Sequence, residues 1–391
     1  MNNFDFCSPT RFVFGKDTEL RAGSLVKETG AKKVLLHFGG SSAEKSGLLS
    51  RIRSSLHESG IQFAELGGVR PNPRDDLVYK GIELCRKENV DMVLCVGGGS
   101  VIDSGKAIAV GVPYNGDFWD FYAGKAQAKT SLPIGVVLTI PAAGSEGSSG
   151  SVITKTDGLL KRAYGFEMMR SRFSILNPEL TYTLPAYQTA CGAVDIMAHV
   201  FERYITKTTG VDFTDRLCES VLCTMVKYAP IALREPRSYD ARANIMWAST
   251  IAHNDLVGLG REQDWSSHQI EHELSALYDV AHGAGLAVIV PAFFRYQYKH
   301  DVARFAQLAV RVFGVDMDYR NPGTTALEGI DRLEAFFRSI GMPVTFKELG
   351  AKEADIPLLT QKCLMNNGEK MGYFHPISRE EIAEIYKLAC K

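Results

Sequence analysis

One stretch of the chain, VDMVLCVGGGSVIDSGKAIAVGV (residues 90–112), joins a continuous apolar run to three glycines and then to a pattern typical of a helix. A short apolar run of this kind is typical of a strand that is buried on both faces of a sheet. Gly97, Gly98 and Gly99 end the predicted strand and open the predicted helix. The succession of strand, glycine turn and helix predicts one unit of a parallel sheet covered by helices.

The flanking sequence repeats this unit. The segments KKVLLHFGG (32–40) and LPIGVVLTIP (132–141) are further predicted strands. The segments SGLLSRIRSSLHESG (46–60) and RDDLVYKGIELCRKEN (74–89) carry apolar residues at helical spacing. This alternation predicts an α/β, Rossmann-like, dinucleotide-binding domain over residues 1–184, with its ligand at the carboxyl ends of the strands.

After residue 184 the pattern changes to successive helices with almost no strand-like segment, so we predict an all-α domain over residues 185–391. The proline-containing connection NPELTYTLPAY lies at this boundary. The predicted helices are AYQTACGAVDIMAHVFERYITK (186–207), DFTDRLCESVLCTMVKYAPIAL (212–233), ARANIMWASTIAHNDL (241–256), SSHQIEHELSALYDVAHGAG (266–285), VARFAQLAVRVFG (302–314), ALEGIDRLEAFFRSIG (326–341) and REEIAEIYKLAC (379–390).

Length and composition agree with a two-domain protein that acts on small molecules. The chain has 391 residues, more than one hydrophobic core usually needs. Its 44 basic and 45 acidic residues nearly cancel, which disfavours nucleic acid or an anionic membrane as partner. The eight cysteines contain no CxxC pair, which favours reduced thiols in the cytoplasm. With neither a secretory leader pattern nor an apolar run of membrane-spanning length, we expect neither export nor membrane insertion.

Histidines in the second half are spaced for a metal site. Asp195 and His199 stand at i and i+4, so they share one face of their predicted helix. His268 and His272 repeat this spacing. A cation needs three or four ligands from more than one element. We therefore predict a divalent transition metal such as Zn²⁺ or Fe²⁺, with these ligands: Asp195, His199, His268 and His282.

Other interpretations of the same residues stay open. An Asp/His pair at i and i+4 can also form a local hydrogen bond or a solvated helix face. His282, followed by Gly283 and Gly285, also fits a favourable charge at a helix C-terminus. The segment HQIEH (268–272) matches the inverted zinc-peptidase motif, in which Glu271 would activate water. In that interpretation the first half carries no nucleotide-binding glycines.

The glycines of the opening stretch predict a dinucleotide site at Gly97–Ser100, because they let a pyrophosphate approach the backbone at a helix N-terminus. Neither G-x-G-x-x-G nor a complete P-loop is present, and a tight turn without ligand is the alternative. Asp103 either favours the helix dipole or faces the nicotinamide end of the cofactor. Small hydroxyl residues in TIPAAGSEGSSGSVIT (139–154) suit phosphate, ribose or carboxamide contacts, or else form a polar turn.

The predicted strand at 32–40 leads into Gly39-Gly40-Ser41-Ser42, with Lys45 close behind. An enzyme that prefers NAD usually offers an acid to the ribose 2′-hydroxyl, whereas the 2′-phosphate of NADP needs small or basic groups. Since no acid stands at this strand end, we predict NADP(H) in preference to NAD(H). The alternative is that this loop contacts no ribose.

Together these segments resemble the iron-containing alcohol dehydrogenase family, and within it the butanol dehydrogenase and broad-range aldehyde reductase branch. GGGSVIDSGKAIA is similar to the family's cofactor motif, DIMAHVFERYI to its first metal segment, and HQIEHELSALYDVAHGAGLAVIVPA to its second. The resemblance implies that Asp195, His199, His268 and His282 bind one divalent metal, Fe²⁺ or Zn²⁺, or else Co²⁺ or Mn²⁺. It implies that His272 lies beside the metal without binding it.

The resemblance also implies a dehydroquinate synthase-like architecture of two domains, a homodimer, and a set of cofactor contacts. Those contacts are Gly39, Gly40, Ser41, Ser42, Gly97, Gly98, Gly99, Ser100, Asp103, Thr139, Ser145 and Lys161.

The predicted reaction is hydride transfer between NADP(H) and a short-chain primary alcohol/aldehyde pair such as butanol and butanal, with His272 as the proton relay. Phe166, Trp265 and Tyr373 either line the substrate pocket or serve in packing. The alternatives are a polyol (glycerol-type) dehydrogenase or a dehydroquinate synthase on the same fold, the zinc peptidase, and a nucleotide-binding regulator with a structural metal.

Overall fold

A computed structural model describes residues 1–367 and 369–391 of the chain. The chain divides into two compact units. The sheet unit is Cys7–Leu184, and the helical unit is Pro185–Lys391 together with Met1–Phe6. The amino group of Met1 donates to the carbonyl of Thr209, 2.7 Å away, which ties the N-terminus to the helical unit. The assignment of residues 1–184 and 185–391 as separate domains stays a prediction.

The strands of the sheet unit are β1 Arg11–Phe14, β2 Lys33–Phe38, β3 Gln62–Leu66, β4 Met92–Gly98, β5 Ile134–Ile140, β6 Gly150–Lys155, β7 Leu160–Gly165 and β8 Phe173–Leu176. A separate antiparallel hairpin is formed by β6 and β7. The other six strands form one sheet, in which all pairings between the described strands are parallel and the order is β1-β8-β5-β4-β2-β3.

The three strands predicted from apolar runs are confirmed as β2, β4 and β5, which lie in the interior of the sheet. All seven residues of β4 are buried, because strands on both sides and helices over the faces leave no solvated side. Edge strands β1 and β3 were not predicted, since their partly exposed side chains give no continuous apolar run.

Helices cover this sheet, and the predicted helices at 46–60 and 74–89 are confirmed as α3 (Leu48–Glu58) and α4 (Asp75–Glu88). Helix α4 ends where Asn89 adopts a left-handed conformation with φ of 52°. The helices of the unit are α1 Ala22–Glu28, α2 Ser42–Lys45, α3 Leu48–Glu58, α4 Asp75–Glu88, α5 Gly99–Gly111 and α6 Trp119–Tyr122.

The order of the strands creates a crevice where a ligand of a parallel sheet usually binds. Strands β2 and β4 lie side by side, but the chain leaves β2 towards β3 and leaves β4 towards β5, on the opposite side. Such a reversal opens a gap at the carboxyl ends of the two strands. The residues that follow these ends are Gly39–Ser42 and Gly99–Ser100, two of the segments predicted to contact a cofactor.

The helical unit confirms the predicted change from alternating strands and helices to helices alone, because all of its described elements are helices. They are α7 Ala186–Tyr204, α8 Asp212–Arg234, α9 Tyr239–His253, α10 Ser266–Tyr278, α11 His282–Gln297, α12 Val302–Phe313, α13 Pro322–Ser339, α14 Phe346–Leu349, α15 Ile356–Asn367 and α16 Arg379–Leu388. Among the described residues, no helix is both long and apolar enough to cross a bilayer.

The stretch 266–285, predicted as one helix, forms two helices that meet at Asp279, which is left-handed with φ of 54°. His282 therefore begins α11, and the alternative that placed it at a helix C-terminus is wrong. Gly283 and Gly285 lie inside α11 because neighbouring groups leave no room for a side chain. A Cβ at Gly283 would lie 2.1 Å from the carbonyl oxygen of Cys191.

Candidate metal site and nucleotide-binding loops

Helix α7 supplies the first pair of candidate ligands. Asp195 and His199 are one turn apart and each is only 5% exposed, so this pair does not form a solvated face. The Nδ1 atom of His199 lies 2.9 Å from the backbone oxygen of Asp195 and 3.0 Å from its Oδ1. With Nδ1 directed at these oxygens, Nε2 is the His199 nitrogen left to bind a cation.

Helices α10 and α11 bring two more imidazoles to this place. One ligand atom from each of Asp195, His268 and His282 falls within a group whose members all lie within 4.8 Å of one another. The Nε2 atom of His282 is 3.9 Å from Oδ1 of Asp195. Three helices thus converge on one small volume with the donor types that divalent transition metals use.

His199 lies beside this group and is not a member of it. Its ring stands edge-on to the ring of His268, with 4.6 Å between the centroids. The structure therefore gathers three of the four predicted ligands at ligand distance and places the fourth ring in contact with one of them.

The surroundings of His268 fit a bound cation. Its Nδ1 lies 2.7 Å from Oε1 of Glu202, and that oxygen also accepts from the His268 backbone N–H at 2.9 Å. Burial, together with the neighbouring histidines, lowers the pKa of His268 well below its ordinary value, so the ring is neutral. Its Nε2 is buried and has no hydrogen-bond partner among the described residues. A buried lone pair without a donor is the feature that a metal ion would satisfy.

Glu271 has a different role from the one that the peptidase motif requires. Its side chain is fully buried, one oxygen accepts from Ser275 Oγ, and the other contacts Nδ1 of His282. A carboxylate engaged in this way does not activate a water molecule, which argues against the peptidase interpretation. The same contact leaves Nε2 of His282 as the nitrogen that faces Asp195.

His272 lies next to the cluster. It is half-buried, and its ring centroid is 5.6 Å from that of His282. Ligand atoms of Glu271, His272 and His282 form a second group within 4.8 Å, which shares His282 with the first. The geometry thus offers two overlapping sets of donors. Two of the three residues are buried in the first set, and one of the three in the second.

The residues suggested for a substrate pocket belong to both units. Trp265 packs edge-on against the rings of His199 and His268, with centroids 5.7 and 5.3 Å apart. Tyr373 is 69% exposed, and Phe166 belongs to the sheet unit. Trp265 therefore contacts two of the candidate metal ligands.

The sequence interpretation missed several residues around the cluster. Glu202 follows His199 by three positions, so helical spacing alone could have placed it on the same side of α7. Arg203 is fully buried, stands over the Trp265 ring at 4.7 Å, and donates to Nδ1 of His253 at 2.8 Å. Arg203 and His253 are 50 positions apart in the sequence, so the spacing of residues within one helix could not predict their contact.

In the sheet unit, two of the three glycines have a packing reason. A Cβ at Gly97 would lie 2.4 Å from Cγ2 of Val101, and one at Gly98 would lie 2.8 Å from Cβ of Ile140. A Cβ at Gly99 would make only ordinary contacts, at 3.4 Å or more. Gly99 is therefore the glycine of this loop that the fold itself does not require.

Asp103 and Ser145 are brought together. Oδ1 of Asp103 accepts from Ser145 Oγ, and Oδ2 accepts from the backbone N–H of Val152, each at 2.9 Å. Burial raises the pKa of Asp103. Asp103 thus holds the loop between β5 and β6 against α5, which is a structural role that the sequence did not predict.

Lys106 is fully buried and donates to the backbone carbonyls of Ser148 and Gly150, each at 2.8 Å. Lys161, on β7, donates to Oδ1 of Asn72 at 3.2 Å. Thr139 is half-buried near the end of β5. Each of these three side chains lies in the sheet unit.

The loop after β2 is open to solvent at Gly40, Ser41 and Ser42. The acid that follows, Glu44, is occupied, because both of its oxygens accept from the guanidinium of Arg53 at 2.9 Å. The guanidinium lowers the pKa of Glu44. The loop thus offers hydroxyls and backbone N–H groups but no unengaged carboxylate.

Two family models match the chain. One, described as iron-containing alcohol dehydrogenase, matches residues 9–178, and one, described as the C-terminal part of the Fe-containing alcohol dehydrogenase family, matches residues 189–390.

Full-length relatives agree with these matches. The NADH-dependent butanol dehydrogenase A of Clostridium acetobutylicum is 40% identical over 388 residues, covering 99% of this chain and 99% of the relative. The NADPH-dependent aldehyde reductase YqhD of Escherichia coli is 36% identical and covers 100% of both chains. The crystal structure of NADH-dependent butanol dehydrogenase A from Thermotoga maritima matches with a TM-score of 0.97 at 38% identity, covering 100% of this chain and 99% of that one. Since relatives named for NADH and for NADPH are similarly close, relatedness alone does not choose the nucleotide.

Proposed function

The chain belongs to the iron-containing alcohol dehydrogenase family, and on this premise we propose the substrate, the nucleotide and the residues of its reaction. As a member of that family it is an alcohol dehydrogenase or aldehyde reductase that uses a divalent metal and NAD(P). The proposed reaction is reversible reduction of short-chain primary aldehydes, such as butanal, with NADPH in preference to NADH.

The observation that carries the proposal is the convergence of Asp195, His268 and His282 around the buried Nε2 of His268. The proposed ligands are these three and His199, and the proposed metal is Fe²⁺ or Zn²⁺. When bound, the cation would polarise the substrate carbonyl oxygen, and the reduced nicotinamide would supply a hydride to the carbonyl carbon.

His272 is the proposed proton donor to the product oxygen. Its ring is half-buried beside His282, and an imidazole nitrogen can give up and regain a proton near neutral pH. Trp265 lies against the ligand rings and would supply an apolar wall that excludes water from the reacting carbonyl.

The preference for NADPH rests on the loop after β2. A 2′-phosphate needs hydroxyl, backbone or basic partners, and a free carboxylate would repel it. Ser41 and Ser42 are exposed there, Lys45 follows, and Glu44 is paired with Arg53, which also bonds Glu65. The proposed nucleotide contacts are Gly39, Gly40, Ser41, Ser42, Gly97, Gly98, Gly99, Ser100, Asp103, Thr139, Ser145 and Lys161.

We also propose a homodimer that works in the cytoplasm, where unpaired thiols stay reduced. Light scattering on the purified protein tests the assembly, and a single species of monomer mass would contradict it.

Absorbance of the reduced nicotinamide tests the proposed reaction. Protein loaded with Fe²⁺ or Zn²⁺ and mixed with butanal should oxidise NADPH faster than NADH at equal concentrations. Glycerol with NADP⁺, assayed in parallel, tests the polyol alternative. The proposed substrate class is wrong if glycerol is turned over and no short aldehyde is.

A further inference from the structure

The candidate ligand helices brace one another through side chains that are not ligands. Glu202 belongs to α7 but contacts His268 of α10, and Glu271 belongs to α10 but contacts His282 of α11. His282 in turn faces Asp195 of α7. Side-chain contacts thus link α7 to α10, α10 to α11, and α11 back to α7.

Glu202 directs its Oε1 at the residues that begin α10. This oxygen accepts from Ser267 Oγ at 2.6 Å, from the backbone N–H of His268 at 2.9 Å, and from Nδ1 of the same histidine at 2.7 Å. Because backbone and ring of His268 are held by one oxygen, the ring cannot turn without breaking a buried hydrogen bond. Such a break would leave the buried Nδ1–H of His268 without its acceptor, which is costly.

Glu271 repeats this arrangement one helix further on. Its oxygens are divided between Ser275 Oγ and Nδ1 of His282, and the side chain is fully buried. Room for it depends on Gly285, where a Cβ would lie 2.3 Å from Oε1 of Glu271. A side chain at position 285 would therefore displace Glu271, which contacts the candidate ligand His282.

We propose that Glu202 and Glu271 are positioning residues, which hold His268 and His282 with Nδ1 protonated and Nε2 presented to the cation. The proposal rests on the proposed metal site. A carboxylate on the far nitrogen fixes the tautomer and ring orientation of a ligand histidine and makes it more basic. The two carboxylates thereby set how tightly the chain binds its metal.

Cation binding by the full-length protein tests this inference without relying on turnover. The dissociation constant for Zn²⁺ is measured by competition with a chromophoric chelator, and the visible absorption bands of the Co²⁺-loaded protein report ligand geometry. Glu271→Ala and Glu202→Ala should each weaken Zn²⁺ binding about 10- to 100-fold and change the Co²⁺ bands. Glu271→Gln keeps an acceptor oxygen for Nδ1, so it should lie between wild type and Glu271→Ala.

Glu219→Gln is the matched control. Glu219 is another buried carboxylate of the helical unit, and it is bonded to Tyr204, Arg216 and Arg311. Its loss should lower thermal stability while leaving Zn²⁺ affinity and the Co²⁺ bands within about twofold of wild type. If an alanine variant does not fold, the glutamine variants are compared in its place.

The outcomes separate this inference from the proposed metal site. Folded Glu202 and Glu271 variants that bind Zn²⁺ as wild type does would overturn the positioning role alone. Wild-type protein that takes up neither Zn²⁺ nor Co²⁺ would overturn the proposed metal site and this inference with it.

Discussion

The two units differ in the groups that they would offer to a ligand: mainly the backbone in the sheet unit, and side chains in the helical unit. In the sheet unit the predicted contacts are mainly glycines and small hydroxyl residues at strand ends, so the backbone would meet the ligand. In the helical unit they are buried imidazoles and carboxylates held by hydrogen bonds to other side chains. A glycine therefore has two competing explanations, packing and ligand approach, whereas buried donor atoms from three helices that meet at one place indicate a metal site more directly.

Removal of a ligand from the helical unit should have the largest effect. His268→Ala takes away the imidazole with the buried Nε2, so turnover of butanal should fall about 10³-fold or more, because a Lewis acid contributes several kcal/mol to such a reaction. Metal content and steady-state kinetics measure this. His300→Ala, in the same unit outside the cluster, is the control, and equal losses in both variants would contradict the assignment.

Replacement of His272 should have a smaller effect that depends on pH. His272→Gln removes the proposed proton donor but not a proposed ligand, so kcat should fall about 10²-fold while metal content stays near wild type. In aldehyde reduction the wild-type kcat should fall as pH rises, because the proposed donor must carry a proton, and this fall should flatten in the variant. If metal content falls together with kcat, His272 acts as a ligand, as in the second donor group.

A pair of glycine variants tests the two explanations in the sheet unit. Gly98→Ala places a Cβ 2.8 Å from Ile140, so the free energy of unfolding should fall by about 1–3 kcal/mol. Gly99→Ala makes only ordinary contacts within the protein and should fold as wild type does, but its Cβ should obstruct the pyrophosphate and raise KM for NADPH. Urea unfolding and KM measurements on both variants decide between the explanations. An unchanged KM in Gly99→Ala would mean that no pyrophosphate binds here.

The smallest expected effect is a change of nucleotide preference. A Cβ at Gly39 would meet its nearest neighbours at 3.6 Å, so Gly39→Asp is accommodated. The new carboxylate would repel a 2′-phosphate and accept from a 2′-hydroxyl, which should shift the ratio of kcat/KM for NADPH and NADH about tenfold towards NADH. Gly40→Ser, which adds no charge, is the control. An unchanged ratio would place the 2′-phosphate elsewhere.

The sequence could predict most of the fold because its signals are local. The buried strands β2, β4 and β5 are continuous apolar runs, and the helices of the second half carry clear periodicity. The hairpin β6–β7 was not predicted, because its segment is rich in small polar residues that also suit a turn. The break at Asp279 depends on a single left-handed residue inside an otherwise helical pattern.

For the candidate site, the sequence could identify the types of donor residue but not the side chains that contact them. Asp195 and His199 are detectable because a helix places residues four apart on one face. The contacts of Glu202 with His268 and of Arg203 with His253 join different helices, so no spacing encodes them. Glu271 was assigned a catalytic role in one alternative because a five-residue motif does not show what its carboxylate faces.

X-ray diffraction at the absorption edge of the bound metal tests the central claim most directly. Crystals of the Zn²⁺-loaded protein should show one anomalous peak in the helical unit, bonded to Asp195, His199, His268 and His282, with Glu202 and Glu271 on the far nitrogens of their histidines. A peak bonded instead to Glu271, His272 and His282, or none near Asp195, would contradict it.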